Sequence, residues 1–289
     1  MGKITGNVIA MYNRKGGVAK TASTIAFAGI LERLGKRVLV FDLDDSFNCS
    51  TVFKVADKQD GGGLFHMICE NVPIEKTIKF AQNSMVDVIP SGNRDFDARL
   101  ELTKRSVDPM VLPYEVYGIL KKNLARIEGK YDYILMDCSP SRDILSECIL
   151  AAATDVITPV DCDKHSYEGV EWIYDMIQDA RERYNPTLNF VGVLITKADI
   201  KTSDFKRFYA AYNEELGEDF ILQPIRREQE LKKATNGDMP IFSVMRRSYA
   251  KGDYIKAACE IGLIDKDSAN RLLTIFAKNG DEQFEYTRG

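Results

Sequence analysis

The sequence has little of what small metal sites and disulfide frameworks require. It contains six cysteines and two histidines among 289 residues, and no two cysteines form a CxxC pair. Zinc-binding and disulfide-rich domains place these residues at short, repeated spacings. We therefore expect neither kind of site. Thiols scattered singly along the chain indicate a reducing compartment.

Long hydrophobic runs and an excess of positive charge are also missing. No apolar run reaches the roughly 18 residues of a membrane-spanning helix, and the amino-terminal segment has no hydrophobic stretch typical of a signal peptide. Lysine and arginine number 39 against 43 acidic residues, which gives a formal charge of -4. We expect a cytoplasmic protein with no membrane partner. Any contact with DNA must come from a local basic patch.

What the sequence does have is an alternation of short β-type runs with helical stretches. This alternation is typical of a doubly wound α/β fold, in which helices cover both faces of a mostly parallel sheet. Several of the runs are apolar without alternation, as strands buried on both faces are. We expect one domain over residues 1–289, with a terminal helix and polar tail over 265–289. The predicted strands are 8–12, 37–42, 86–90, 133–137, 156–160, 190–196 and 220–222.

A loop rich in glycine and lysine follows the first predicted strand, at residues 13–21 (NRKGGVAKT). Backbone N–H groups of such a loop, together with the amino terminus of the next helix, bind phosphate oxygens. Gly16 and Gly17 permit the close backbone approach that a Cβ atom blocks. Lys20 is predicted to reach the β- and γ-phosphates, and the Thr21 hydroxyl to bind Mg²⁺. The predicted nucleotide-binding residues are Lys15, Gly16, Gly17, Val18, Ala19, Lys20, Thr21 and Ala22.

The loop departs from the strict pattern GxxxxGK[ST], because Arg14 and Ala19 stand where that pattern has glycine. It matches the variant KGGxxK[ST], which begins at Lys15. In this respect the chain resembles the ParA/MinD superfamily, and in particular its ParA/Soj-type partitioning ATPases. The resemblance implies ATP and Mg²⁺ as cofactors, and an ATP-bound homodimer in which Lys15 contacts the nucleotide of the partner subunit. Ala19 is a mild departure, since alanine is easily accepted if the backbone at this position is helical.

Two further segments carry the resemblance, and both end in aspartate. Residues 38–44 (VLVFDLD) end in a DxD sequence, and residues 131–137 (YDYILMD) look like a Walker B strand. The carboxyl ends of parallel strands form the crevice in which doubly wound sheets bind ligands. The resemblance implies that Asp44 orients the attacking water, so that Lys15, Lys20 and Asp44 are the catalytic residues. It places Asp42 and Asp137 with Thr21 at the metal. For each aspartate the alternative is a helix cap or a loop carboxylate.

The resemblance extends over residues 8–254, with two local departures. After Asp44 the family usually reads Pro-Gln-Gly-Asn, whereas this chain reads DSFN at 45–48. Residues 196–199 (TKAD) are a candidate base-recognition loop, although GTP-binding proteins use a similar Asn-Lys-x-Asp. Where the family has Pro-x-Asn near the adenine, this chain has RRE at 226–228.

A basic cluster near the carboxyl terminus is the candidate DNA surface. Arg246, Arg247 and Lys251 fall where the family binds DNA without sequence specificity. The alternative for each is a solvated helix face. A MinD-like membrane helix is a second possibility for the segment 271–278, but the acidic tail that follows would be repelled by anionic lipid. We expect that segment to pack onto the domain through Leu272, Leu273, Ile275 and Phe276.

These features lead to one main functional hypothesis and two alternatives. The main hypothesis is an ATPase switch for plasmid or chromosome partitioning, located on the nucleoid, in which a ParB-like partner stimulates hydrolysis. The first alternative is an ATP-dependent metabolic enzyme on the same scaffold, such as a ligase. A metal-cluster carrier would need a CxxC pair, which is missing. The second alternative is an ATPase that positions another cargo or a division protein.

Overall fold

The computed structural model describes residues 3–55, 62–161, 164–228 and 239–278. Within the helix Lys164–Arg183 it describes the side chains only of Trp172 and of residues 174–183. The run DKQDGGG at 57–63 predicts a loop or an insertion; its residues 57–61 lie outside these ranges, whereas Gly62 and Gly63 begin a helix. The acidic tail at 281–285 and two further basic residues, Lys232 and Lys233, also lie outside these ranges.

A mostly parallel sheet forms the centre of the described chain. Its seven strands are arranged in the order β3-β4-β2-β5-β1-β6-β7. Only the short edge strand β3 pairs antiparallel, with β4. This arrangement confirms the predicted fold class. The strands are β1 (Val8–Met11), β2 (Val38–Leu43), β3 (Lys79–Phe80), β4 (Asp87–Ile89), β5 (Tyr133–Cys138), β6 (Asp155–Asp161) and β7 (Asn189–Thr196).

Helices cover both faces of this sheet. Strand β1 shows why its sequence is apolar throughout: Ile9 and Met11 pack into one core, and Ala10 and Tyr12 into the other. Helix α1 and the two carboxyl-terminal helices cover the first core, and α5, α8 and α9 are among those on the second. The helices are α1 (Lys20–Arg33), α2 (Asn48–Val52), α3 (Gly62–Cys69), α4 (Ile74–Thr77), α5 (Asp95–Val107), α6 (Pro113–Tyr117), α7 (Ile119–Ala125), α8 (Ile144–Ala152), α9 (Lys164–Arg183), α10 (Ser203–Leu216), Tyr249–Glu260 and Lys266–Phe276.

The prediction of a strand at 220–222 is wrong. The chain there forms a 3₁₀ turn, Glu218–Phe220, followed by a single parallel bridge between Ile221 and Val193. Pro224 lies close behind and has no N–H with which to extend a ladder. Strand β3 was not predicted, because two exposed edge residues leave no periodic signal.

The terminal helix was predicted correctly, and most of its apolar face is buried. It begins after Asp265, whose carboxylate caps it by accepting from the Ser268 N–H at 2.8 Å. Leu272, Leu273 and Phe276 are buried as expected, but Ile275 is 43% exposed. Within the described residues, no helix combines the length and the apolar composition that crossing a bilayer takes.

The order of the strands decides where a ligand can bind. Strand β1 lies between β5 and β6. The connection that leaves β1 runs toward β2, whereas the connections that leave β5 and β6 run toward the opposite edge of the sheet. Such a switch point opens a crevice at the carboxyl ends of the strands. The 13–21 loop leaves β1 at this crevice. The register pairs Met11 with Asp137 and Asp42 with Asp137, so both buried aspartates lie beside the loop.

Candidate nucleotide-binding site

The phosphate loop is held from outside by two buried polar side chains. The Asn13 amide donates to the Pro159 carbonyl at 2.7 Å, and its Oδ1 accepts from the Lys15 N–H at 2.8 Å. The Thr196 hydroxyl donates to the Val18 carbonyl at 3.1 Å. The ends of β6 and β7 therefore fix the shape of the loop. Sequence reasoning missed this role for Asn13 and Thr196, although Asn13 opens the motif.

Lys20, the predicted phosphate-binding lysine, lies inside the loop. Its side chain is buried, and its ammonium donates to the carbonyls of Asn13 and Lys15, both at 3.0 Å. Burial lowers the pKa of Lys20, while the nearby negative charges of Asp137 and Asp44 oppose that shift. The Lys20 ammonium is thus bound by two neutral carbonyl oxygens. Phosphate oxygens can take their place, and they are stronger acceptors because they are charged.

The backbone of the loop provides an open cradle. No atom lies within 4 Å of the position a Cβ would take at Gly16 or Gly17, and Gly17 has φ +75°. The space beside both glycines is thus open, so that a phosphate group could approach the backbone closely there. Val18 is buried, whereas Lys15, Thr21 and Ala22 are half-buried at the edge of the cradle.

The condition under which alanine is easily accepted at position 19, a helical backbone, is not met. Ala19 has φ 63° and ψ 32°, which is the left-handed region. Helix α1 begins only at Lys20, and the Ala19 carbonyl accepts from the Ser23 N–H at 2.9 Å. For a residue with a Cβ this conformation costs about 1–2 kcal/mol. The strict pattern has glycine here, so the chain keeps the backbone shape of that pattern at the expense of some strain.

Asp42 and Asp137 are both completely buried. Asp42 accepts from the Ser50 hydroxyl at 2.6 Å and the Ser50 N–H at 2.8 Å, and its other oxygen accepts from the Asp44 N–H at 3.2 Å. Burial raises the pKa of Asp42 to about 6, and these hydrogen bonds limit the rise. Since both of its oxygens have protein partners, Asp42 supports the segment that carries Asp44, and its contribution to a metal shell stays a prediction.

Asp137 has a different environment, because its Oδ2 is buried without a hydrogen-bond partner among the described residues. Burial, and then the charge of Asp42, raises the pKa of Asp137, and a hydrogen bond from Thr21 opposes the rise. A buried carboxylate oxygen without a partner next to a hydroxyl suits Mg²⁺ or one of its waters. In the described chain, no group of three or more Cys, His, Asp and Glu residues could enclose a metal. A single carboxylate suits Mg²⁺, which keeps several waters and binds phosphate.

Asp44, the predicted water-orienting residue, lies at the rim of the cradle. It is half-buried, and its Oδ1 accepts from the Ser46 N–H at 2.9 Å. The following turn contains Phe47 at φ 56°, a second left-handed residue with a side chain. Phe47 stands where the family sequence has glycine, and Ala19 stands where the strict phosphate-loop pattern has glycine. At both positions the backbone has a conformation suited to glycine.

The candidate base-recognition loop contacts the phosphate loop. Lys197 is left-handed at φ 52°, its ammonium donates to the Gly17 carbonyl, and it lies 3.5 Å from an Asp161 carboxylate oxygen. Arg226, in the segment expected near the base, instead forms a two-pronged ion pair with Asp253, at 2.8 and 2.6 Å. This pairing holds the Arg226 guanidinium against the helix Tyr249–Glu260.

The predicted DNA-binding residues fall into two groups. Arg246 and Arg247 are exposed, and Arg247 also donates to the Thr274 carbonyl at 2.9 Å. Lys251 is buried, and its ammonium donates to the carbonyls of Val244 and Arg246. Its prediction as a DNA contact is therefore wrong, because the charge that was to meet phosphate is used inside the protein.

The sequence of the chain matches a known family over the region that builds this site. The family model described as an AAA domain matches residues 6–190, which is more than half of the chain. The chain belongs to this family. It is a member of the ParA/Soj type, as the resemblance of the phosphate loop indicated.

Named relatives of the ParA/Soj type match along most of their length. Sporulation initiation inhibitor protein Soj of Bacillus subtilis is 27% identical over 256 residues, which is 89% of this chain and 98% of that protein. Chromosome partitioning protein ParA of Caulobacter vibrioides is 26% identical over 260 residues, 90% of this chain and 95% of that protein. Among solved structures, cobyrinic acid a,c-diamide synthase from Mycobacterium smegmatis, with bound ATP analog and magnesium, superimposes with a TM-score of 0.69. It is 25% identical, and the match covers 82% of this chain and 92% of that one.

Proposed function

We propose that the chain is an ATPase switch for partitioning plasmid or chromosomal DNA. It binds ATP and Mg²⁺, dimerises in that state and then binds DNA without sequence specificity. A ParB-like partner stimulates hydrolysis and returns the protein to a form that releases DNA. It acts in the cytoplasm, on the nucleoid. The names of the Soj and ParA relatives, and the ATP analog and magnesium of the structural relative, support this proposal.

The observation that carries the proposal is the unpartnered Oδ2 of Asp137 beside the open phosphate cradle. A protein keeps a buried carboxylate oxygen without a donor only at a cost, and a ligand removes that cost. Thr21 and Asp137 are therefore the residues that would hold Mg²⁺. The bound ion would neutralise charge on the phosphate oxygens.

The remaining site residues have roles that follow from their positions. The Lys20 ammonium leaves the Asn13 and Lys15 carbonyls for phosphate oxygens, and the loop N–H groups bind the same phosphates. Asp44 lies at the rim, where its free carboxylate lone pairs can accept a hydrogen bond from the attacking water. Lys15 lies at the edge of the cradle, in reach of a second subunit across that face.

The experiment that tests the switch is ATP-dependent dimerisation of Lys15→Gln. We expect the parent protein to dimerise with a slowly hydrolysed ATP analogue, as measured by light scattering. Lys15→Gln should bind the analogue as a monomer, because one charged hydrogen bond to phosphate contributes roughly 1.5–3 kcal/mol and the dimer contains two. Lys36→Gln is the matched control, since Lys36 is exposed before β2, at the opposite end of the sheet. Dimerisation of Lys15→Gln at the parental affinity would contradict the proposal.

The structural match to cobyrinic acid a,c-diamide synthase favours a metabolic enzyme as the second candidate. The two functions differ in what ATP does to DNA affinity. Retention on arbitrary duplex DNA that requires ATP supports the partitioning switch. An ATPase whose DNA affinity is the same with and without nucleotide supports the metabolic enzyme. An ATPase that positions other cargo would behave as the switch does, and differs from it in the partner that co-purifies.

A further inference from the structure

A buried arginine, Arg99 of α5, lies between the segment that carries Asp44 and the segment that follows Asp137. Its side chain is 9% exposed, and its guanidinium donates to the Leu43 carbonyl at 2.8 Å and to the Ser139 hydroxyl at 3.2 Å. Leu43 directly precedes Asp44, and Ser139 lies two residues after Asp137. A buried guanidinium is costly unless its hydrogen bonds are well arranged. These contacts therefore define a specific arrangement.

The position of Arg99 follows from where the sheet ends. The β2–β5 register runs as far as the pair formed by Leu43 and Cys138. Beyond that pair the β-ladder ends, and the segments that follow β2 and β5 separate into loops. Arg99 joins them at this point, because it contacts Leu43 on one side and both Ser139 and Ser141 on the other, the latter at 3.1 Å. The Arg99 side chain thus connects the two segments beyond the last backbone hydrogen bonds between the strands.

Charge pairing strengthens the connection on both sides. Arg99 forms an ion pair with Asp143 at 2.5 Å, and Asp143 also caps α8 by accepting from the Ser146 N–H. Arg99 forms a second ion pair, at 3.2 Å, with Asp45, whose side chain is 55% exposed. The planar fork of a guanidinium suits this geometry, because its donors point in fixed directions toward several acceptors. Each of the two segments therefore supplies one carboxylate to the same cation.

We propose that Arg99 is a positioning residue for ATP hydrolysis. It fixes the segment that carries Asp44 relative to the segment that follows Asp137, so that the attacking water and the metal shell keep their separation. The inference rests on the proposed function of the site. Arg99 acts on the reaction through these segments and leaves the phosphate loop alone. Loss of its fork should therefore slow turnover more than it weakens nucleotide binding.

The first test compares Arg99→Lys with the parent protein in steady-state ATP hydrolysis and in the binding of a slowly hydrolysed ATP analogue. Lysine keeps the charge but has no fork. We expect kcat to fall about 10- to 100-fold, because displacements of about 1 Å cost up to 100-fold in rate. The Kd for the analogue should change less than about 3-fold, since the contacts of the phosphate loop are intact. Arg105→Lys on the same helix is the control, as Arg105 contacts Glu101 and Ile68 away from both segments.

The second test asks whether Arg99 acts through Asp44. In an Asp44→Ala background, Arg99→Lys should slow the residual hydrolysis little further, because the group it positions is gone. An equal further loss in that background would overturn the inference. It would also be overturned if Arg99→Lys hydrolysed ATP with the kcat of the parent protein.

Asp45→Asn provides the same comparison if Arg99→Lys does not fold, because it changes only the exposed partner of Arg99. We expect a smaller loss of kcat for Asp45→Asn, and an unchanged kcat would count against the inference. A parent protein without ATPase activity would contradict the proposed function itself.

Discussion

Two loops of this protein hold a buried lysine in the same way. In the phosphate loop, Lys20 donates to the carbonyls of the residues seven and five positions before it. In the carboxyl-terminal loop, Lys251 donates to Val244 and Arg246, which stand at the same two offsets. Each lysine belongs to the first turn of a helix. The same local arrangement therefore closes both loops.

What differs is what surrounds each ammonium. Lys20 lies in a crevice beside Asp137 and Asp44, with open space over the glycines of its loop. Lys251 lies against the rings of Phe242 and Phe276, at 5.9 and 5.4 Å from their centroids. An ammonium among aromatic rings and carbonyls closes a loop and contributes to stability. An ammonium beside acids and an open cradle can exchange its partners for a ligand. The surroundings decide which of the two lysines serves function.

The largest expected difference comes from replacing each lysine by methionine. Lys20→Met should weaken ATP binding by at least about 10- to 100-fold, because it removes the charged hydrogen bond to phosphate, and should also lower the free energy of unfolding, since the Asn13 and Lys15 carbonyls lose their donor. Lys251→Met should leave the calorimetric affinity for an ATP analogue unchanged and lower the free energy of unfolding by about 1–3 kcal/mol, since the Val244 and Arg246 carbonyls lose their donor. Equal effects of the two substitutions on nucleotide affinity would remove the distinction between the loops.

The raised pKa values of Asp42 and Asp137 predict how the stability of the nucleotide-free protein varies with pH. Folding raises the pKa of Asp42 from 3.8 to about 6 through burial, and raises that of Asp137 as well. The stability that these groups contribute is therefore present below their unfolded pKa values and is lost as pH rises through the folded ones. For Asp42 the loss is on the order of 3 kcal/mol and is nearly complete by pH 7.

Asp137→Asn sharpens this prediction, because its amide can occupy the place of the unpartnered Oδ2 without a charge. We expect thermal unfolding without Mg²⁺ and nucleotide to occur at a higher temperature than in the parent at pH 8, with a smaller difference at pH 5. The same variant should lose the effect of Mg²⁺ on nucleotide affinity. A variant that is less stable than the parent at pH 8 would show that Oδ2 of Asp137 already has a partner.

The arginines of the carboxyl-terminal loop test whether this region has a function besides stability. Replacing Arg246 and Arg247 by glutamate should weaken ATP-dependent binding to arbitrary duplex DNA by about 10-fold or more. The slope of log affinity against log salt concentration should become less steep by about 2, because two phosphate contacts are lost. Nucleotide affinity should not change. Lys121 and Lys122, exposed on α7, give a charge-matched control pair. DNA binding that resists the arginine changes would exclude this surface.

The smallest effect concerns backbone strain in the phosphate loop. Ala19→Gly should raise the free energy of unfolding by about 0.5–1 kcal/mol, because glycine adopts φ 63° without the Cβ penalty and loses part of that gain to chain entropy. Ala22→Gly, inside helix α1, should lower it by about the same amount. Chemical denaturation of both variants measures the difference. Destabilisation by both would mean that Ala19 is not strained.

Much of the site could be predicted because its residues are close together in the sequence. The glycines and lysines of the 13–21 loop carry a pattern that survives two departures from the strict motif. Asp42 and Asp137 end apolar strands, and parallel strands bring their carboxyl ends to one edge. The turn geometry of Ala19 could not be predicted in the same way. Its conformation depends on the whole loop, which Asn13 and Thr196 hold from outside.

The sequence alone therefore determined the parallel strands of the sheet, the phosphate loop and the strand-end aspartates, because each rests on spacing within a few turns or strands. Tertiary structure alone decided the roles of the charged residues. Lys251 and Arg246 look alike in a basic cluster, yet only the packing of Phe242 and Phe276 buries one of them. Arg99 joins carbonyl and hydroxyl partners 56 and 40 residues away. No local pattern records such contacts, since they exist only once the sheet has brought distant segments together.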